Sequence, residues 1–243
     1  MPTRRLPRTD DDRSRALTTC ANKVNTTPTA NWLITPAQNA TLQGQLSAWR
    51  NTRNAAATAL STQTTATATV NTRFTACARC ISHFIQVLNL AIERGILLPG
   101  VRALYQLPVS HAAVPPINTV ADAQLWQMNL ENGEAARIAA GGTALAWPAI
   151  GEITASANLL TTAENSQSNA KGTYDILQEN IAALRPAVDA LILDLWDTIE
   201  YNLRHDAPSS LRRKAREWGV IYINDDGTEE TDPPAPPVVP PIP

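Results

Sequence analysis

The chain has 243 residues, enough for one large domain or two small ones, with 44% hydrophobic, 5% aromatic and 17% charged residues and a formal net charge of −2. That balance favours neither nucleic-acid binding nor attraction to an anionic membrane surface. Three cysteines, Cys20, Cys77 and Cys80, are too few for a disulfide scaffold.

The amino end, MPTRRLPRTDDDRSR, lacks the apolar core of a secretory signal. No uninterrupted run approaches the roughly 18 apolar residues of a spanning helix, so no membrane span is expected. The compartment is cytoplasmic by default, with signal-less export as the other route. Residues 1–8 read as an extended basic arm. Thr9 and Asp12 form a helix start resembling a capping box, and Leu17, Cys20, Ala21 and Val24 share one face of a helix over 10–25. Asn25-Thr-Thr-Pro28 ends it.

Thr35-Pro36-Ala37-Gln38 opens the next helix, with threonine at the cap, proline first and glutamine third. A seam then recurs at alternating spacings of four and three: Leu42, Leu46, Trp49, Arg53, Ala56, Leu60, Gln63, Thr67, Val70, Phe74, Cys77, Ile81, Phe84, Leu88 and Ala91. Twelve of these fifteen are apolar, which predicts continuous helix over 36–94 with coiled-coil-like packing, a rod of roughly 90 Å ending at Gly95. Residues 95–118 are rich in proline and irregular, with a short helix at 101–107. Thr119 and Asp122 start a helix that Gly141-Gly142 ends, with Leu125, Met128 and Ile138 as its expected apolar face and Trp126 beside it.

A second long helix is expected over 148–205. Its face carries Ile153, Leu160, Tyr174, Leu177, Ile181, Leu184, Val188, Leu191 and Leu195, with a kink at Pro186. Charge supports an antiparallel pair. Residues 38–92 sum to +4 and residues 148–205 to −5. Placing position i near 241 − i sets Arg50 and Arg53 near Asp189 and Asp194, and Arg73 and Arg79 near Glu164. The alternative breaks both rods, at 61–69 and 165–172, into a compact four-helix bundle, because threonine costs up to about 0.7 kcal/mol in a helix.

The carboxyl end reads as a basic helix at 211–218, a strand at 220–223, an Asp-Asp-Gly turn and a polyproline-type tail at 232–243. The expected organisation is an amino-terminal arm and helix at 1–34, a hairpin or bundle at 35–231 with an inserted segment at 95–147, and the tail. The fold class is all-α: a long antiparallel helical hairpin, or four-helix bundle, with short accessory helices and a small carboxyl-terminal strand.

Chemistry is sparse. Cys77, Cys80 and His83 form C-x-x-C-x-x-H, but on a helix Cys77 and His83 stand about 120° apart. With no second Cys/His cluster, core packing is expected, and no metal or cofactor. Asp189, Asp194, Asp197 and Glu200 read as a solvated or arginine-paired face, and His111 and His205 as loop and helix-end residues. No nucleophile elbow, phosphate loop, dinucleotide fingerprint or zinc-protease motif occurs. Arg212, Arg213, Lys214 and Arg216, with Trp218, form a candidate contact segment, and Pro234, Pro237 and Pro240 carry P-x-x-P spacings.

The leading expectation is a non-enzymatic structural or self-assembling protein whose copies meet through long charge-poor helices and extended terminal arms. The alternative is a monomeric binding or adaptor module that uses 211–218 and the proline-rich tail to hold a protein partner. A metal or redox protein at Cys77 and Cys80 and a helical pore-former are the further readings. No nucleic-acid partner is expected.

Overall fold

The computed structural model describes residues 2–231. The fold is all-α, with elements β1 (Thr3–Arg4), α1 (Asp10–Thr26), α2 (Pro36–Glu93), α3 (Val120–Ala139), α4 (Ile150–Leu203), α5 (Pro208–Glu217) and β2 (Tyr222–Ile223). Short 3-10 helices occupy Thr29–Asn31 and Pro99–Tyr105. Helix α2 runs unbroken through 61–69 and α4 through 165–172, so the broken-rod alternative is excluded. The chain forms two compact units, and both long helices contribute to each: one comprises residues up to 56 and from 176, the other residues 57–175.

In the first unit, α1 starts where Thr9 accepts a hydrogen bond from the Asp12 amide, and three aspartates fill its first turn. Negative charge there offsets the positive end of the helix dipole. Thr35 and Gln38 cap α2 reciprocally: the Gln38 amide donates to Thr35 Oγ1 at 3.1 Å and the Thr35 amide to Gln38 Oε1 at 3.0 Å. Leu42, Leu46 and Trp49 of α2 meet Val188, Leu195 and Ile199 of α4, and Leu17 and Cys20 of α1 close the core. Trp218 and Tyr222 from the carboxyl end complete it. Gly219 adopts φ 90°, and a Cβ there would stand 2.6 Å from the Ala16 carbonyl oxygen, so only glycine lets the chain pass α1 so closely. Strand β1 pairs antiparallel with β2, Thr3 opposite Ile223 and Arg4 opposite Tyr222. The amino-terminal arm is therefore bound within its own chain.

The expected α2–α4 charge pairs do not form. Gln38 Nε2 donates to Asp194 at 2.7 Å and to Thr198 at 2.8 Å, so position i lies near 234 − i, about two helical turns from the expected register. Asp189 instead takes a two-pronged bond from Arg13 of α1, at 2.7 and 2.8 Å. Arg53 turns to Asp11 and Ser14, and Arg50 to Thr18. Arg185 grips Asp10 with bonds of 2.9 and 2.8 Å. Helix α1 thus supplies the counter-charges, a role that a two-helix argument leaves out.

In the second unit, Cys77, Ile81, Phe84 and Leu88 of α2 pack on Ile153, Ala157 and Leu160 of α4. Gln167 reaches Thr67 at 3.0 Å, which confirms antiparallel packing here too. Helix α3 has a full capping box at Thr119 and Asp122. Its expected face is reversed: Leu125, Met128 and Ile138 are exposed, while Ala123, Leu130, Gly133, Glu134 and Arg137 are buried. The cause is the 3-10 helix beside it. A Cβ on Gly133 would run into the Tyr105 ring, so a small residue faces inward. Glu134 and Arg137 are buried because they satisfy each other. Arg137 Nη2 stands 2.7 Å from Glu134, whose carboxylate also accepts the Tyr105 hydroxyl at 2.5 Å and the Leu145 amide at 2.7 Å. Burial raises the Glu134 pKa, but bonds from Arg137, Tyr105 and Leu145 outweigh it and hold the carboxyl below its usual range.

Two outcomes follow. The bond from Arg185, helped by the charges of Arg185, Arg13 and Arg53, depresses the Asp10 pKa against burial, which raises it. The stability it contributes is present above the ordinary aspartate range and lost as pH falls through the depressed value. The melting temperature, followed by circular dichroism from about pH 7 to about pH 2.5, should fall more steeply for the wild type than for Asp10→Asn; equal slopes would contradict this role. Arg137→Met should cost about 3–5 kcal/mol in urea unfolding by leaving the buried carboxylate unpaired, and adding Glu134→Gln should recover part of that loss.

Candidate interaction surfaces

The basic segment is largely engaged inside the chain. Arg212 and Arg216 both meet Glu230, at 3.0 and 2.7 Å, and Lys214 meets Asp206 at 2.8 Å. Trp218 is buried in the core of the first unit, while Arg213 is exposed. Pro234, Pro237 and Pro240 lie outside the described residues. The structure therefore brings Arg212 and Arg216 together on one carboxylate and separates Arg213 and Trp218 from them. Of the acidic set, Asp197 and Glu200 both pair with Arg4 of β1.

The cysteines sit where helical packing puts them. Cys77 is fully buried in the second core, and burial pushes its thiol upward. Cys80 is half-buried and shifted the same way, by burial first and then by Glu152. Cys20 is buried against α4, its pKa pushed up to about 12. Raised thiol pKa values suppress the reactive thiolate. Among the described residues, no three His, Cys, Asp or Glu side chains gather in a metal-holding group.

Among the described residues, two surface clefts bear on these segments. One, of about 380 Å³, lies between the amino-terminal arm and the β2 turn, with Arg5, Arg8 and Arg15 facing Asp12 and Glu229. Arg15 is already paired with both carboxylates. The other, of about 230 Å³, lies beside Arg102, which binds Asn89 and the carbonyls of Pro108 and Ala113 and so ties the loop to α2.

The middle of α2 carries the most distinctive surface. No charged side chain stands between Arg53 and Arg73. Thr58, Thr62, Thr65, Thr69 and Thr72 are all exposed, at alternating spacings of four and three. This stripe is on the side of the helix opposite the buried seam. The hydroxyls of Thr62, Thr65, Thr69 and Thr72 donate to the carbonyls four residues earlier, at 3.0–3.1 Å, and those of Thr64 and Thr67 do the same. The seam itself holds, with Ala59 buried in place of the exposed Leu60. Sequence reading found the inward seam and overlooked the outward stripe, although its seven-residue period was equally visible.

Among the described residues, α2 is the one helix long and apolar enough, by length and composition alone, to cross a membrane. Its apolar window is interspersed with polar residues, so it escapes a search for uninterrupted runs. No family model, curated protein or solved structure matches this chain.

Proposed function

We propose that this chain is a non-enzymatic structural protein that self-assembles through the threonine stripe of α2. One observation carries the reading: an exposed, uncharged, heptad-spaced face whose hydroxyls are already bonded to their own helix. A polar group usually resists removal from water because its hydrogen bonds are lost. Here the hydroxyls of Thr62, Thr65, Thr69 and Thr72 keep their bonds to the carbonyls behind them, and the methyl groups remain available for packing. Desolvation of the stripe therefore costs less than its composition implies. A symmetric contact between two copies also places like beside like, which a neutral face permits and a charged face opposes.

The contact lies on α2 and not on the amino-terminal arm or the basic segment. The amino-terminal arm is paired with β2, and the basic segment is held by Glu230 and Asp206. Nothing in those two segments favours the adaptor alternative over assembly.

Lysine at Thr65 or Thr72 places like charges across the contact while leaving the buried seam intact. Thr65→Lys with Thr72→Lys should weaken self-association at least about tenfold in sedimentation equilibrium, a loss of about 1.4 kcal/mol. Thr65→Ala should change it by less than about threefold, since alanine keeps the face small and neutral. Assembly of the lysine variant at wild-type strength would remove the stripe from the contact.

A further inference from the structure

We propose that the cleft beside the amino-terminal arm is the docking site of the chain's own proline-rich segment, 232–243, with Asp232 between Arg5 and Arg8 and the first prolines on Leu6, Ile221 and Ile223. This goes beyond the assembly reading and does not depend on it.

The cleft, of about 380 Å³, is walled by backbone held in place within the first unit. The Arg5 amide donates to the Ile221 carbonyl at 3.0 Å, and the Arg8 carbonyl accepts Arg13 Nη1 at 3.3 Å. Pro7, between them, is buried. Both arginines therefore extend from a fixed backbone. On the other side, Ile223 bridges to Glu229, and the Glu230 amide donates to the Tyr222 carbonyl at 2.9 Å. Since β1 already pairs with β2, the last described residues run along the opposite edge of β2. Glu229 is among the residues that line the cleft.

Charge in the cleft is unbalanced. Arg15 holds both of its carboxylates, Asp12 at 3.2 Å and Glu229 at 2.9 Å. Among the described residues, Arg5 and Arg8 meet no carboxylate. The half-buried Arg5 and exposed Arg8 thus offer guanidinium donors to an anion, beside the aliphatic surface of Leu6, Ile221 and Ile223.

The segment DPPAPPVVPPIP, which lies outside the described residues, carries the matching chemistry in its sequence. Its one charged side chain is the carboxylate of Asp232, at its first position, and only Pro, Ala, Val and Ile follow. Pro233 and Pro234 have no N–H, so the ladder on β2 cannot continue through them. What the segment can offer is one negative charge followed by apolar packing, and the cleft receives both.

Position in the chain selects this occupant over another of the same chemistry. Asp232 is three residues past Glu229, and three residues span at most about 11 Å. A tether that short gives an effective concentration on the order of millimolar, while a free ligand must also give up its translational freedom. An exposed ion pair with a short apolar contact binds weakly between separate molecules, and the tether makes such a contact sufficient. The proline-rich segment is then engaged by its own chain rather than displayed to a protein partner.

The test is disulfide trapping in the full chain by oxidised glutathione at low protein concentration. Leu6→Cys and Ala235→Cys are the reporters, and Cys80→Ser removes the one native cysteine that is not buried. Trapping rates are normalised to the rate at which iodoacetamide alkylates the same thiols. Expected is a disulfide within one chain. Asp232→Arg, and separately Arg5→Glu with Arg8→Glu, should each slow its formation at least about fivefold, and all three together should restore it to within about twofold, because the charges are exchanged rather than lost. The tether alone gives equal rates in every chain, and equal rates would overturn the proposal. So would a combined variant that stays slow, or a disulfide between two chains, which would assign the cleft to the segment of another copy. Asp232→Arg lies outside the described fold, and unchanged circular dichroism checks the arginine variants. The α2 stripe is untouched in all of these chains, so failure here leaves the assembly reading standing.

Discussion

A threonine hydroxyl in a helix has two courses. It can compete with the backbone and favour other conformations, or it can close onto the carbonyl four residues back and leave the helix intact. The middle of α2 takes the second course at one threonine after another. The tract remains one helix through 61–69 with those bonds in place. The closure engages the hydroxyls of Thr62, Thr65, Thr69 and Thr72 on a stretch that carries no charge. The low-desolvation face follows from that closure, and the assembly reading rests on it.

Each unit then solves a burial problem of its own. The first assembles tryptophan and leucine from α2 and α4, and recruits α1 as a third wall. Its arginine–aspartate bonds, Arg13 to Asp189 and Arg185 to Asp10, bind α1 to α4 where the long helices alone would leave acidic residues unmatched. The second uses a smaller device. Gly133 admits Tyr105, and Tyr105 brings a hydroxyl to Glu134. In the buried polar cluster that results, both Glu134 oxygens and the Tyr105 hydroxyl are bonded, the condition under which such networks hold an arrangement rather than weaken it. It ties Thr143 and Leu145 to the end of α3.

Regular periodicity was legible in the sequence. Leu42, Trp49, Cys77, Ile81 and Leu88 declare one buried stripe at seven-residue spacing, and Ile153, Leu160, Val188 and Leu195 declare its partner. Caps at Thr9, Thr35 and Thr119 were equally readable, because each is a local contact between residues three apart. Register was not. A charge count matched Arg53 with α4 because it considered two helices, while the acids of α1 lay nearer. The face of α3 was misassigned for a related reason: Leu125 and Met128 have the residue type of a core, but Ala123 and Gly133 have the size that the Tyr105 ring requires. The basic segment was legible as a charge cluster, yet its partner, Glu230, lies well along the chain beyond a turn. The outward threonine stripe escaped because neutral polar residues suggest a linker until their hydroxyl bonds are seen.

The central claim is that a neutral helical face joins copies of this chain. Multi-angle light scattering of the purified wild type over a wide range of concentrations tests it most directly. The account predicts a mass that rises above the 26.2 kDa of one chain as concentration increases, and that changes little with added salt, since no charge pair holds the contact. A mass of one chain at every concentration would contradict it.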